Sequence, residues 1–512
     1  MERPSPVSTR ATLLLTGVAA ASLVLATTVV SAQQTRRTAL RPTVPAYVAQ
    51  QPPRDPVAVP AAPDVLGDPA GPIRSQPSAI SNRAPPYASR SVRGSGVRGV
   101  TQRQFRAPPP TVTGLPAVPP APPPPRRAPA AQEDPYAPLG LRLGSVVLRP
   151  ALTNSVGYDN NPQRTAAPTR NASPFSRHEG EVDIQSNWNV HELTGRLRAG
   201  YSEFYRDREA SRPDGEGNLQ LRLDASRDTR ILLETRARLD TQRPGSPDLT
   251  AAVVGRPLVY QYGASAGVTH DINRLQMTLR GSVDRSDYED GKLSNGGVVS
   301  QRDRNQTQYG LRLRAAYEVT PGFRPFVQGE VDTRDFDQAI DSSGYRRSSN
   351  GLTGRIGSTV EISRQLTGEV SVGYQDRKYD DARLRNLKGL IGDAAIIWSP
   401  TPLTTVTLRG TSELGDTTIA GSSGTTARRV SLEVAHALRR NLTVTAFGSF
   451  NRTEYEGQGL REDSSSIGAR LDYRLTRTVS IRASFTHERL NSSAQGSDYT
   501  ANVAQVGLRL QF

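Results

Sequence analysis

From residue 139 to the end, the chain is written in short segments in which apolar and polar residues alternate with period two. Ile231, Leu233, Ala237 and Leu239 share one face, while Glu234, Arg236, Arg238 and Asp240 share the other. The same rule sets Leu275, Met277, Leu279 and Val283 against Gln276, Arg280 and Asp284, and Tyr309, Leu311, Leu313 and Tyr317 against Arg312, Arg314 and Glu318. Each segment therefore reads as a strand with one greasy side and one wet side. Over the eight clearest strands (193–202, 218–226, 231–240, 275–284, 308–318, 352–361, 466–475 and 502–512) the polar phase carries 12 Arg and 7 acids and the apolar phase carries no charge.

A soluble sandwich alternates too, so the connections have to decide between the two. Every second connection is tight, as at Arg227 to Arg230, Arg439 to Asn441 and Thr476 to Thr478; the others, such as 241–257, 285–304 and 335–350, are long and polar. Short turns at one end and long loops at the other are the pattern of a transmembrane barrel. Hairpins are expected across 182–201, 218–240, 259–284, 307–333, 352–375, 387–412, 428–450 and 466–487. With a first strand within 143–158 and a last within 502–512, the prediction is an all-β, antiparallel up-and-down barrel of about eighteen strands. Sixteen result if the Pro-containing first segment or 387–398 fails. Trp188, Tyr317, Trp398 and Tyr473 fall near the short-turn ends, and Tyr260, Tyr262, Tyr309, Tyr374, Phe450 and Phe485 near the long-loop ends, as two interfacial girdles would require.

The start of the chain is of another kind. Arg3 and Arg10 precede an apolar stretch from Ala11 to Val30, and Val30-Ser31-Ala32 offers small residues for cleavage, which reads as a signal peptide over 1–32 with Gln33 as the mature start. An uncleaved anchor helix is the alternative. Residues 33–140 then hold 25 of the 39 prolines with 13 Arg and 5 acids. Such a composition buries too little apolar surface to offset chain entropy, so 33–138 is expected to be a disordered periplasmic tether ahead of the barrel at 139–512. Cysteine is absent, which excludes a disulfide framework and a lipidated N-terminus. The net charge of +15 is almost all Arg, with Lys only at 292, 378 and 388; in an exported chain this fits a charged barrel wall better than nucleic acid.

The ending, Val506, Leu508, Leu510 and terminal Phe512 alternating with Gln505, Arg509 and Gln511, reads as the signal recognised by the barrel-assembly machinery. Together with Leu143-Gly144-Ser145-Val146-Val147-Leu148-Arg149-Pro150, Gly157-Tyr158-Asp159-Asn160-Asn161, Gly373-Tyr374-Gln375-Asp376-Arg377-Lys378-Tyr379-Asp380 and Trp398-Ser399-Pro400-Thr401-Pro402-Leu403-Thr404-Thr405-Val406, it gives the chain a resemblance to the putative beta-barrel porin 2 family of proteobacterial outer-membrane proteins, over roughly 139–512. That resemblance implies fold and location more than cargo; some members look associated with surface-polysaccharide export.

Catalysis finds little support. His191, His270 and His436 each precede a tight turn, and no ligand spacing links them to paired carboxylates, so no metal, cofactor or catalytic residue is expected. No histidine is expected at the centre of a lipid-facing strand beside a candidate serine, the arrangement that a barrel-borne lipase needs. The acid-flanked aromatics Asp287-Tyr288-Glu289-Asp290, Asp335-Phe336-Asp337, Tyr379-Asp380-Asp381 and Glu454-Tyr455-Glu456 read either as a sugar- or cation-binding mouth or, preferably, as interface rings followed by loop charge.

The expected function is a channel for passive or export-linked passage of solutes, surface polysaccharide among them; the alternative is a non-conducting structural or adhesive barrel. Arg196, Arg198, Arg236, Arg238, Arg312, Arg314, Arg355, Arg470 and Arg474 are the candidate lumen-lining residues. Their excess predicts a mild anion preference, unless neighbouring acids such as Glu234 and Glu318 pair with them and cancel the field. The expected partners are outer-membrane lipid and lipopolysaccharide, the assembly machinery and polysaccharide-export components.

Overall fold

A computed structural model describes residues 135–512, apart from 167–170, 250–252 and 364. The expected signal peptide and nearly all of the expected tether lie outside the described residues. Eighteen long strands follow one another, and each pairs antiparallel with its neighbours in sequence. In chain order they are β1 (Val146–Asp159), β2 (Ser173–Ser186), β3 (Glu192–Phe204), β4 (Arg212–Asp224), β5 (Thr229–Thr241), β6 (Leu258–Ile272), β7 (Leu275–Tyr288), β8 (Gln306–Tyr317) and β9 (Phe323–Phe336). The second half comprises β10 (Ser349–Ser363), β11 (Leu366–Tyr379), β12 (Leu387–Thr401), β13 (Thr404–Gly415), β14 (Gly424–Arg439), β15 (Leu442–Glu456), β16 (Arg461–Arg474), β17 (Val479–Ser492) and β18 (Tyr499–Gln511).

The wall closes where β18 pairs with β1, from Ala151 opposite Gln511 to Asp159 opposite Val503. Closure leaves no sheet edge with unpaired backbone, the condition for crossing lipid in strands. Pro150 sits where that pairing ends: its carbonyl accepts the Phe512 N–H at 3.1 Å, and no partner beyond it needs the N–H that proline lacks. The weak first segment is therefore a full member of the barrel. On its free stretch it pairs with a short strand at Leu141–Leu143.

Burial is inside out relative to a soluble protein. Leu279, Val283, Tyr309, Leu311, Leu313, Leu352, Ile356, Leu432, Ile467, Val506 and Leu508 are all exposed on the outer face. The residues between them, Arg280, Arg312, Arg314 and Arg355 included, are half-buried on the inner face. A continuous apolar outer wall is tolerable only when lipid covers it. Tyr158, Tyr201, Tyr309, Tyr374, Phe450 and Phe485 lie exposed toward the long-loop end, and Tyr317, Trp398 and Phe512 toward the other, so both expected girdles are present and Tyr158 and Tyr201 join the upper one.

Several strands run past the expected limits at the long-loop end: β4 begins at Arg212 rather than 218, β14 at Gly424 rather than 428, and β15 continues to Glu456. Above the girdle the backbone ladder continues while the outer face turns polar, as in the Lys388–Asp376 (2.8 Å) and Arg428–Glu454 (2.9 Å) ion pairs. Alternation is a signal of lipid contact, so it stops before the strands do. The opposite ends are tight: Asn273, between β6 and β7, has φ 53°, a left-handed conformation that asparagine tolerates.

Candidate functional site

A closed sheet of eighteen strands is too wide for its own side chains to fill, so its inner face encloses a lumen. All nine arginines expected to line it point inward, and each meets a carboxylate. Arg196 reaches Asp183 (2.5 Å), Arg198 reaches Glu179 (2.8 Å), Arg236 grips Asp284 (2.6 Å) and Arg238 meets Asp240 (2.5 Å). Arg312 pairs with Glu330 (2.8 Å), Arg314 with Glu369 (2.8 Å), Arg355 with Asp393, Arg470 with Glu433 (3.5 Å) and Arg474 with Asp472 (3.8 Å). Neither Glu234 nor Glu318 is the partner of the arginines first proposed for it: Glu234 meets Arg280 (3.4 Å) and Glu318 meets Arg324 (3.0 Å). The wall is thus a lattice of ion pairs, some within a strand, some between adjacent strands and some reaching past a strand, as Arg314 on β8 does to Glu369 on β11, and the fixed positive field of these arginines is largely cancelled.

The long loops do not stand away from the barrel but fold over its mouth. The loop between β5 and β6 crosses furthest. Arg243 meets Glu462 on β16 (2.8 Å), the Ser497 hydroxyl donates to the Gly245 carbonyl (3.0 Å), and the Thr417 hydroxyl donates to Asp248 (2.5 Å). Leu249, Val253 and Ser246 are buried in consequence. In the next long loop Gly291–Leu293 pairs with Val298–Val299 on one side and with Val253–Val254 on the other, making a small outer sheet of three strands. From the loop after β9, fully buried Arg347 meets Asp341 and donates to the carbonyls of Ser422 (2.8 Å) and Ile419 (2.9 Å). Asp381 accepts the Arg346 N–H (3.0 Å) and the Arg383 guanidinium, which together hold its carboxyl well below the usual carboxylate range. The Arg285 guanidinium likewise lowers the Asp337 carboxyl, just beyond the wall.

The acid-flanked aromatics belong to this packing rather than to an open, ring-lined mouth. Tyr288 is buried under the Arg304 guanidinium (4.1 Å from the ring centroid), Tyr455 is buried, and the Tyr379 hydroxyl donates to the Ser423 carbonyl. Glu289 and Asp290 accept backbone N–H groups of Leu258 (3.0 Å) and Gln301 (3.1 Å).

The histidines divide into two groups. His191, His270 and His436 flank tight turns and bond to the short-turn end of the neighbouring strand, at the Asp224 N–H (3.2 Å) and the hydroxyls of Thr229 (2.9 Å) and Thr404 (2.9 Å). His178 and His487 are outward-facing, each bonded to an asparagine of the adjacent strand: Asn154 (2.7 Å) and Asn502 (2.7 Å). His178 is also two residues from Ser176, but it lies opposite Tyr201, at the upper girdle rather than at the centre of the span. Nothing joins the Ser176 hydroxyl to the imidazole: the described hydrogen bonds of His178 go to Asn154 alone.

Val506, Leu508, Leu510 and Phe512 are exposed on the outer face of β18, at the seam that closes last in sequence. At the same end of the barrel, Arg477 in the turn before β17 donates to the Pro135 carbonyl (2.7 Å), so the chain enters the wall from the short-turn side.

Apolar outside, ion-paired inside and closed on itself, the fold is that of a porin-like outer-membrane barrel. Residues 134–512 match the family described as "Putative beta-barrel porin 2", and the chain belongs to it. Among solved structures it is similar to OccAB4 of Acinetobacter baumannii (9% identity, TM-score 0.37, covering 71% of this chain and 98% of that one). It is also similar to OccK9 of Pseudomonas aeruginosa (12%, TM-score 0.38, 72% and 98%) and to the copper transporter OprC (10%, TM-score 0.40, 73% and 81%). No curated protein is significantly similar to it.

Proposed function

We propose that the chain is a channel of the outer membrane through which solutes pass, by diffusion or linked to export, and that the folded loops set its conductance. One observation carries this reading: eighteen strands enclose a lumen whose wall is built of charged and hydrogen-bonding side chains. A barrel serving only as an anchor has no need of a polar interior, whereas water and hydrophilic solutes do. Surface polysaccharide is a cargo compatible with such a wall. The reading takes the barrel as non-catalytic, with lipopolysaccharide around its outer collar, the assembly machinery acting on β18 and the N-terminal segment in the periplasm, where the entry point at Pro135 supports it.

The loop contacts across the mouth favour a second reading, a non-conducting barrel that displays braced loops. Purified protein in planar bilayers separates the two. Discrete conductance steps, enlarged when the 241–257 loop is removed, are expected of the channel. Silence of both proteins, with folding verified by heat-modifiable migration, would support the structural barrel.

A further inference from the structure

Where the loops after β1 and β5 meet, positive charge outnumbers its partners. Arg164 takes two carboxylates for itself, Asp159 (2.7 Å) and Glu488 (2.7 Å). Arg256, in the loop before β6, has only a carbonyl among the described residues: its Nη2 donates to Pro162 (2.8 Å), and its buried Nε has no partner there. Arg212, at the start of β4, donates to the Ala210 carbonyl (3.1 Å) and lies 5.3 Å from the Phe204 ring centroid. The acid nearest to it in sequence, Asp214, is committed to Arg177 (2.6 Å) and Arg198 (3.2 Å). Among the described residues Arg212 and Arg256 thus have no carboxylate of their own.

Beside them lie uncommitted amides. Gln242, whose backbone N–H bonds the Pro257 carbonyl (2.8 Å) next to Arg256, is 4% exposed, and among the described residues neither its Oε1 nor its Nε2 has a partner. Gln163 next to Arg164 donates to Asp207 (2.8 Å) while its own buried Oε1 stays unpaired. Both arginines are half-buried, with the Arg256 Nε out of water, and withdrawing a guanidinium from water without a counter-charge is costly. Burial, together with the positive charges of Arg212 and Arg164, pulls Arg256 well below its ordinary value, the response of a cation that lacks an anion. Each of the nine candidate lumen arginines meets a carboxylate, which Arg212 and Arg256 do not among the described residues.

We propose that Arg212 and Arg256, with the Gln242 amide beside them, form a binding site for an anionic oxygen group (a carboxylate, sulfate or phosphate borne by a small solute) beneath the loop that crosses the mouth. Guanidinium forks suit such groups because they offer paired N–H donors in one plane, and an amide N–H adds a third direction. The site deepens the channel reading by giving the solute a charge. Binding can be measured without conduction, so the two can fail separately.

The test titrates the full mature barrel in detergent with inorganic phosphate, at ionic strength held constant with chloride. Phosphate-specific binding is expected, weakened at least tenfold in Arg256→Gln or Arg212→Gln and unchanged in Arg428→Gln, whose ion pair lies on the outer wall. Gel migration shows whether each variant has closed. Should Arg256→Gln fail to fold, thermal unfolding of the wild type still decides: no stabilisation by phosphate over chloride overturns the site, as do variants that bind like the wild type. Phosphorus carried through purification and lost in the variants would support the same site with a lipid phosphate as its source.

Discussion

The Thr417 hydroxyl, in the loop after β13, donates to Asp248, in the loop after β5, at 2.5 Å, and the Thr418 N–H reaches the same carboxylate at 3.2 Å. These loops leave the wall eight strands apart in a ring of eighteen, so this contact ties one side of the mouth to the other. Hydrogen bonds to a charged acceptor contribute about 1.5–3 kcal/mol each at most, enough to hold a loop but not to lock it. Asp248→Ala is therefore expected to raise the mean conductance and the gating noise in planar bilayers, while a Cys pair at 248 and 417 should lower both until it is reduced. Identical traces for all three proteins would remove this contact from gating.

Because every candidate lumen arginine is paired, charge selectivity should depend on which partner is removed. Changing Arg312 and Arg314 to Glu leaves Glu330 and Glu369 facing new carboxylates, and reversal potentials under a salt gradient should move toward cations. Changing Glu330 and Glu369 to Gln should move them toward anions. Both shifts should fade as salt rises, since the screening length is about 10 Å at 0.1 M and about 3 Å at 1 M. Selectivity indifferent to all four changes would mean that the folded loops control permeation.

Thiol labelling on intact cells should follow the packing rather than loop length. Cysteines at Ser342 and Gln458, both exposed, should react with an impermeant reagent, and cysteines at Asp228 and Thr476 in the short turns should not. Ser246 also lies in a long loop, yet it is 3% exposed and should be protected. Rapid labelling at 246 would show that the mouth is open in the cell.

Deleting Phe512 or replacing it with Asp should lower the amount of heat-modifiable barrel in the outer membrane several-fold, because the residue ends the strand that closes the wall and its N–H bonds the Pro150 carbonyl. Wild-type levels of the variant would separate the terminal ring from assembly.

The loop contact through Asp381 should resist mild acid. A carboxyl held below its ordinary value in the folded state binds its proton later than in the unfolded chain, so its contribution is full above the unfolded pKa of about 4 and is lost only as pH falls through the lower, folded value. Conductance should accordingly change little between pH 7 and 5, and Asp381→Asn should reproduce at pH 7 the effect of stronger acid on the wild type. A transition centred near pH 6 would point to another group.

Strand number, sidedness and girdles were legible in the chain because lipid on one side and water on the other impose a period of two that each strand must satisfy alone. Leu311 and Arg312 declare their faces without reference to any other part of the sequence. Closure at β1 and β18 follows from the same rule, since no strand edge survives in lipid. Charge balance in the lumen was not legible, because it is a property of several strands at once: Glu330, Glu369, Asp183 and Asp393 lie on other strands than the arginines they neutralise, Glu369 three strands away from Arg314. The outward turn of His178 also needed the register that sets it beside Asn154. Least legible were the loops. Arg243 and Glu462 lie 219 residues apart, and Asp248 and Thr417 lie 169 apart. Only the curvature of a closed wall brings such loops to one mouth, and no local periodicity records which of their polar side chains will meet across it.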